Sequence, residues 1–358
     1  MGYIKRGDYE DKRILTHLQE NGKWHKLLHY ACDNACPDDI SKGLDIHLRS
    51  DSVHIYYKGG RILEIKTDVL NLDSNYFYRR EDYDDIPRTH MELLRNGNYE
   101  ELNRRNVSYT NWTPEKASAI FDTLKRYRDN LFGIDVTDKK SRYQSFANTA
   151  SAPEQYFKSA MKIMDDWSDS LKGVTTHEER MLQQKISLLN RDKDESDFIV
   201  IDIEFSVSDA EDCPYRDSKG RYKHPRFDII AYQPKKKNRL VVIELKKGLG
   251  AVGWTDDGFF DSETKSGVMD HLNKFNATVG NANSYEAFIK EIQGILDMKI
   301  NLGILTKDLA VTISNEKPVF MLAYAGEKME QFYEACKKAN MECICVEDES
   351  KPFLREKQ

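Results

Sequence analysis

The sequence lacks several features that identify whole classes of protein. No apolar run approaches the roughly 20 residues that span a membrane, and the first eight residues lack the apolar segment of a signal peptide. The six cysteines show no disulfide-framework spacing, so a reducing compartment such as the cytoplasm is expected. No internal repeat or low-complexity tract is evident. An ordinary globular protein is therefore expected.

The composition agrees with that expectation. The 358 residues are 39% hydrophobic and 32% charged, which is typical of a globular chain. This length favours two domains. We place the predicted boundary between residues 150 and 151, at the end of a polar candidate linker over residues 135–151.

Residues 1–150 are predicted to form an α+β domain for substrate recognition, for binding a partner, or for homo-oligomer formation. Two glycines, Gly59 and Gly60, separate alternating apolar runs and predict a hairpin. The predicted elements are a helix over 9–32, strands over 44–48, 53–57 and 61–66, and helices over 88–103 and 113–132.

Residues 151–358 predict an α/β domain with a mixed central sheet flanked by helices. Pro153 stands where the first helix begins, a position that favours proline. The predicted helices cover 152–171, 176–189, 285–298 and 327–339, and the predicted strands cover 198–205, 225–232, 240–246, 319–324 and 343–346.

The most informative segment is the strand pair around Asp228 and Glu244. Side chains alternate along a strand, so Glu244 and Lys246 are predicted on one face, opposite Val241, Ile243 and Leu245. If the two strands pair, Asp228 joins that charged face. Two carboxylates and an ammonium group on a largely buried sheet are costly unless they bind something. A divalent metal ion and a phosphate satisfy all three.

These residues support a resemblance to a known family. The helix with Glu178 and Glu179, the strand with Asp228, the segment Glu244-Leu245-Lys246 and the helix after it resemble the PD-(D/E)XK nuclease superfamily, over roughly residues 175–346. The resemblance implies a restriction-endonuclease-like core. It also implies a Mg²⁺-dependent or Mn²⁺-dependent phosphodiesterase that cuts DNA rather than RNA, in bacterial restriction, repair or defence.

The resemblance also implies roles for individual residues. Asp228 and Glu244 would bind the metal with their carboxylates and Leu245 with its main-chain carbonyl, while Lys246 would position or activate water. Glu179, with Glu178 as a close rival, would supply a further acid. The family motif has a proline directly before the first acid, whereas here Pro225 lies three residues before Asp228.

Two rival sites remain open in the sequence. The chain has five Glu-x-Lys triplets, and Glu64-Ile65-Lys66 also ends a strand, with Asp45 at a comparable distance before it. Asp202 and Glu204 resemble the first motif of DEDD-type exonucleases, which would use both acids to hold metal ions. A catalytically inactive nuclease fold that only binds nucleic acid is another alternative.

Charge distribution predicts a nucleic-acid partner despite a net charge of −6. Residues 221–247 contain nine Lys or Arg and two acids, a local +7 that leaves −13 for the rest. The candidate nucleic-acid contacts are Lys235, Lys236, Lys247 and Gln293. The aromatic segment 76–80 is either a base-stacking surface or ordinary packing.

Cysteine placement raises one more possibility. Cys32 and Cys36, with Cys336, Cys343 and Cys345, invite an iron–sulfur or zinc site, but their spacings match no such motif. Buried thiols are the favoured interpretation.

Overall fold

A computed structural model describes most of the chain. The described residues are 13–35, 37–49, 52–67, 70–73, 96–104, 143–145, 153–171, 173–206, 226–248, 267–280 and 282–356, with isolated positions between them. The aromatic segment 76–80, Cys36 and most of the helices predicted over 88–103 and 113–132 lie outside these residues. No helix within the described ranges is both long and apolar enough to cross a membrane.

The first sheet is antiparallel and begins with the predicted hairpin. Its strands follow chain order: β1 (Asp45–Arg49), β2 (Ser52–Tyr57), β3 (Gly60–Lys66), β4 (Leu70–Asp73) and β5 (Tyr143–Ser145). The turn between β2 and β3 consists of Lys58 and Gly59, both with positive φ, which suits a tight hairpin. β5 lies inside the predicted linker, so that segment is not a linker throughout.

Four helices accompany this sheet among the described residues: α1 (Arg13–Leu18), α2 (His25–Asp33), α3 (Tyr99–Arg104) and α4 (Pro153–Ser170). The prediction of one helix over 9–32 was wrong, because the chain turns between α1 and α2. Asn21 has φ +67° there, and a Cβ on Gly22 would lie 2.5 Å from the main chain of His17. The buried side chains of α4 pack into the core of the first sheet.

The second sheet is mixed, as predicted. Its order is β10 (Glu342–Cys345), β9 (Val319–Ala325), β8 (Arg239–Lys247), β7 (Arg226–Gln233) and β6 (Ile199–Ser206). The pairs β6–β7 and β7–β8 are antiparallel, whereas β8–β9 and β9–β10 are parallel.

Helices cover both faces of this sheet. On one face, α5 (Thr175–Leu189) packs Leu182 and Ile186 against the strands. The other face carries α6 (Val268–Thr278), α7 (Ala282–Asn301) and α8 (Met329–Lys338). The sequence prediction omitted α6.

A buried ionic network joins the two sheets. His47 of β1 lies 2.7 Å from Asp45 through Nε2 and 2.7 Å from Asp202 of β6 through Nδ1. Arg49 donates to both carboxylate oxygens of Asp202, at 2.9 and 3.1 Å. Lys299 of α7 donates to the main-chain oxygen of Ile201 at 2.6 Å. The two halves therefore contact each other through paired charges.

Candidate active site

The candidate site lies where β7 and β8 diverge. Their ladder ends at the pair Ile229–Ile243, one residue before Asp228 and Glu244 would meet. The main-chain N–H of Leu245 donates to Asp228 Oδ2 at 2.9 Å instead of to the main chain of β7. The main-chain oxygen of Asp228 accepts from Gln183 of α5 at 2.5 Å. Side chains thus take the place of main-chain ladder bonds at this end of the two strands.

Glu244 and Lys246 share one face of β8, as the alternation predicted. Lys246 Nζ lies 2.6 Å from Glu244 Oε1, and the side chains are 8% and 1% exposed, respectively. On the opposite face, Val241, Ile243 and Leu245 pack in the core beneath α5. The pair is therefore an almost dry ion pair at the centre of the sheet.

A histidine that the sequence analysis did not assign to this site lies beside Glu244. His271 of α6 places Nδ1 3.0 Å from Glu244 Oε2. Neither atom makes a hydrogen bond with any described residue, although both are fully buried. The close approach without an aligned hydrogen bond leaves a carboxylate oxygen that a cation would satisfy.

The electrostatics of the site reflect burial of like charges. Burial, followed by the neighbouring Glu244 carboxylate, raises the pKa of Asp228 well above its usual range. Burial also raises the pKa of Glu244, although Lys246 opposes the shift. Burial opposes protonation of Lys246, but Glu244 and Asp228 outweigh it and raise the pKa of that lysine. Burial and the Lys246 charge lower the pKa of His271 to about 4.

The helix acids are now distinguishable. Glu179 Oε2 accepts from the main-chain N–H of Lys247 at 3.3 Å, and its charge acts on both Glu244 and Lys246. Glu178 instead accepts from the N–H of Gly173 and pairs with Lys247 Nζ at 3.3 Å. Glu179 is therefore the helix acid nearer the site.

A third strand adds another acid. The β6–β7 pairs Ile203–Ile229 and Phe205–Phe227 place Glu204 beside Asp228, where its charge helps to raise the pKa of Asp228. Glu204 has a left-handed backbone, φ +51°, a strained state for a non-glycine residue. Its side chain pairs with Arg226 at 3.0 Å.

The exonuclease alternative loses support from the same strand. Asp202 is fully buried in the ionic network with His47 and Arg49, and these partners hold its pKa well below the usual range despite burial. Because Asp202 already contacts His47 and Arg49, it has little capacity left for a metal ion.

The rival Glu-x-Lys site is not assembled either. Asp45 lies on β1 and Glu64 on β3, so the whole of β2 separates them, by roughly 10 Å. Glu64 is instead surrounded by His54, Arg61 and Lys66 within the hairpin.

The predicted nucleic-acid contacts do not form one surface. Lys235 pairs with Asp197 at 2.7 Å and Lys236 pairs with Glu356, at the hairpin end roughly 15–20 Å from Asp228. Gln293 accepts from the N–H of Ile313 and donates to the carbonyl of Val311, so it anchors that loop. Lys247 follows the site directly and pairs with Glu349 at 2.7 Å.

The cysteines occupy two separate cores. Cys32 packs against the first core and three others, Cys336, Cys343 and Cys345, lie in the second. All four described cysteines are free thiols. Within the described ranges, the two groups do not converge on one site.

The residues of the site fit a magnesium ion. No group of three or more His, Cys, Asp or Glu among the described residues forms a ready-made metal cage. Magnesium needs no such cage, because it keeps several waters and takes one or two carboxylates plus substrate phosphate. Asp228 and Glu244 would offer the two carboxylates, and the buried Glu244 Oε2 lacks a hydrogen-bond donor among the described residues. The resemblance would add the Leu245 carbonyl.

Comparisons of the chain with models of known protein families, with curated proteins and with solved structures found no match.

Proposed function

We propose that the protein is a metal-dependent nuclease that hydrolyses phosphodiester bonds, with DNA as the favoured substrate. The observation that carries the proposal is the buried convergence of Asp228, Glu244 and Lys246 where two strands separate. A role in bacterial restriction, repair or defence is part of the proposal only through the family resemblance.

Each residue has a role that its surroundings support. Asp228 and Glu244 would hold Mg²⁺ or Mn²⁺, because both are buried beside each other and a bound cation would offset the cost of their ionisation. The bound ion would lower the pKa of a water molecule and neutralise charge at phosphorus. Lys246, held by Glu244 as a protonated ammonium group, would position the attacking water or a phosphate oxygen.

Cleavage assays with a matched pair of lysine variants test the proposal. Linear and circular DNA and RNA are incubated with the protein, with and without Mg²⁺ or Mn²⁺. Lys246→Ala and Glu244→Gln are each expected to lower the rate by roughly 10²–10³-fold, the usual effect of removing one stabilising group. Lys66→Ala, in the Glu-x-Lys triplet of the other sheet, should cleave like the wild type.

Other outcomes would point elsewhere. Dependence on Glu204 with indifference to Lys246 would favour the exonuclease alternative that uses Asp202 and Glu204. Binding of nucleic acid by the wild type without any cleavage would favour the inactive binding fold. Equal losses in Lys246→Ala and Lys66→Ala would show that the assay reports folding rather than chemistry.

A further inference from the structure

A small cleft lies between the two halves of the molecule. Its volume is about 140 Å³. The β2–β3 hairpin, α5 and the end of β6 form its walls. The described residues that line it are Tyr56, Gly59, Arg61, Arg180, Gln183, Gln184, Ile203 and Glu204.

The cleft adjoins the candidate active site. Gln183, which lines the cleft, donates to the main-chain oxygen of Asp228. Glu204, on the opposite wall, lies beside Asp228 across the β6–β7 ladder. Two residues that line the cleft, Gln183 and Glu204, therefore neighbour Asp228.

The lining favours an anion with several oxygen atoms. Arg61 and Arg180 each present a planar guanidinium group, which matches phosphate oxygens in pairs. Glu204 is the one acid among the described lining residues, and Arg226 pairs with it at 3.0 Å. Two arginines and one glutamate give the described lining residues a net charge of +1.

The hairpin that carries Arg61 is fixed against the helix that carries Arg180. The N–H of Gly59 donates to Gln184 Oε1 at 2.7 Å, and Gln184 Nε2 donates to the carbonyl of Tyr56 at 3.2 Å. Arg61 Nη1 lies 3.2 Å from His54 Nε2 and 3.6 Å from Glu64. These contacts fix the hairpin against α5 and orient Arg61 before any ligand arrives, which lowers the entropic cost of binding.

We propose that this cleft binds a backbone phosphate of the nucleic-acid strand next to the bond that is cut, with Arg61 from the N-terminal half and Arg180 from the C-terminal half as its ligands. The inference rests on the proposed nuclease function. It gives the N-terminal half a direct part in substrate binding.

Salt-dependent binding tests the cleft without relying on cleavage. The full-length protein carrying Glu244→Gln is titrated with a labelled single-stranded or duplex DNA oligonucleotide in Ca²⁺ over a series of salt concentrations. Arg61→Gln and Arg180→Gln should each reduce the slope of log affinity against log salt by about 0.7 for single strands or 0.9 for duplex, the loss of one phosphate contact. Arg355→Gln, an exposed arginine at the C-terminal end, should keep the parent slope.

The results separate this inference from the proposed function. If the wild type cleaves DNA but neither cleft variant changes the slope, the cleft proposal is overturned and the nuclease proposal stands. If both slopes fall but the wild type never cleaves, the proposal of phosphate binding in the cleft is supported and the nuclease proposal fails. Arg180 is exposed, so Arg180→Gln remains informative even if the partly buried Arg61→Gln unfolds. Absence of any DNA binding by the parent protein would also overturn the proposal of phosphate binding in the cleft.

Discussion

Asp228 concentrates the electrostatic cost of the candidate site in a single side chain. Its carboxylate faces Glu244 and Glu204 and accepts one main-chain hydrogen bond, from Leu245. The raised pKa means that ionisation of Asp228 opposes folding. Stability is thus highest below the unfolded pKa, near 4, and decreases as the pH rises through the raised folded value.

Asp228→Asn should therefore stabilise the metal-free protein at neutral pH, because the amide keeps the hydrogen bond from Leu245 without the charge. The gain should disappear as the pH falls below about 4, where the wild-type carboxyl is protonated in both states. Urea unfolding in EDTA at several pH values measures this difference. Asp194→Asn, at an exposed turn, is the control and should leave stability within about 0.5 kcal/mol.

Addition of Mg²⁺ should make the wild type more stable than Asp228→Asn. A ligand that binds only the folded protein raises its free energy of unfolding by about 2.7 kcal/mol when the ligand concentration is one hundred times the dissociation constant. The wild type should gain stability on addition of Mg²⁺, and Asp228→Asn should gain little. An equal gain in both proteins would show that the ion binds elsewhere.

Strand alternation was sufficient to predict which charged residues of β8 meet. Glu244 and Lys246 lie together because a period of two determines their face. Asp228 joins them where the alternation of β7 breaks, since Phe227 and Ile229 pack in different cores. His271 was missed because its helix, α6, was not predicted, whereas Gln183 was missed although it lies one helical turn after Glu179 on a predicted helix. The spacing of Val268, Leu272, Phe275 and Val279 could have revealed α6, the helix that carries His271.

At the scale of elements, the β2–β3 hairpin and α5 act as one unit. Gly59 has φ +74°, and a Cβ there would lie 3.0 Å from both Arg180 Cβ and the main-chain nitrogen of Met181. Glycine is thus required at this position for two independent reasons, the left-handed backbone and the close approach of the helix.

A comparison of Gly59→Ala with Gly303→Ala separates the cost of the left-handed backbone from the cost of the close approach to the helix. Gly303 has φ +72° with no atom within 4 Å of an added Cβ, so its substitution should cost only the strain of the left-handed backbone, roughly 1–2 kcal/mol. Gly59→Ala should cost more, and it should also weaken DNA binding because the cleft wall moves. Chemical denaturation and the oligonucleotide titration measure the two effects. Equal destabilisation with unchanged DNA binding would contradict the tight docking.

Most elements with a clear period were predicted within three residues of their ends, including the strands of the mixed sheet. The break between α1 and α2 was missed because the apolar spacing continues through a turn that Asn21 and Gly22 impose. Turn conformation depends on backbone contacts that apolar periodicity does not report.

At the scale of the whole molecule, the ionic network between the sheets ties the halves together. Asp202 accepts from Arg49 and His47, and the positive charge of Lys299 acts on it as well. Burial lowers the pKa of Lys299 to about 8 even so. Removal of the carboxylate would leave buried Arg49 and Lys299 with less negative charge beside them.

Asp202→Asn should therefore destabilise the protein by about 3–5 kcal/mol, the usual cost of breaking a buried ion pair. Asp197→Asn, which breaks an exposed pair with Lys235, should cost at most about 1 kcal/mol. Because the folded pKa of Asp202 is depressed, its contribution is present above pH 4 and is lost as the pH falls below that value. Urea unfolding curves at pH 7 and below pH 4 measure both effects; a small loss at pH 7 would show that the network is not essential.

The contact between the halves also bears on what happens when the halves are separated. β1 and β6 are outermost strands of their sheets, yet all five residues of β1 are buried. Outermost strands offer unpaired N–H and C=O groups to any neighbouring chain and so promote aggregation. Each half shields such a strand of the other, and a proteolytic fragment that retained only one half would expose it. Cleavage of the chain between the halves is thus expected to yield insoluble material rather than two independently folded pieces.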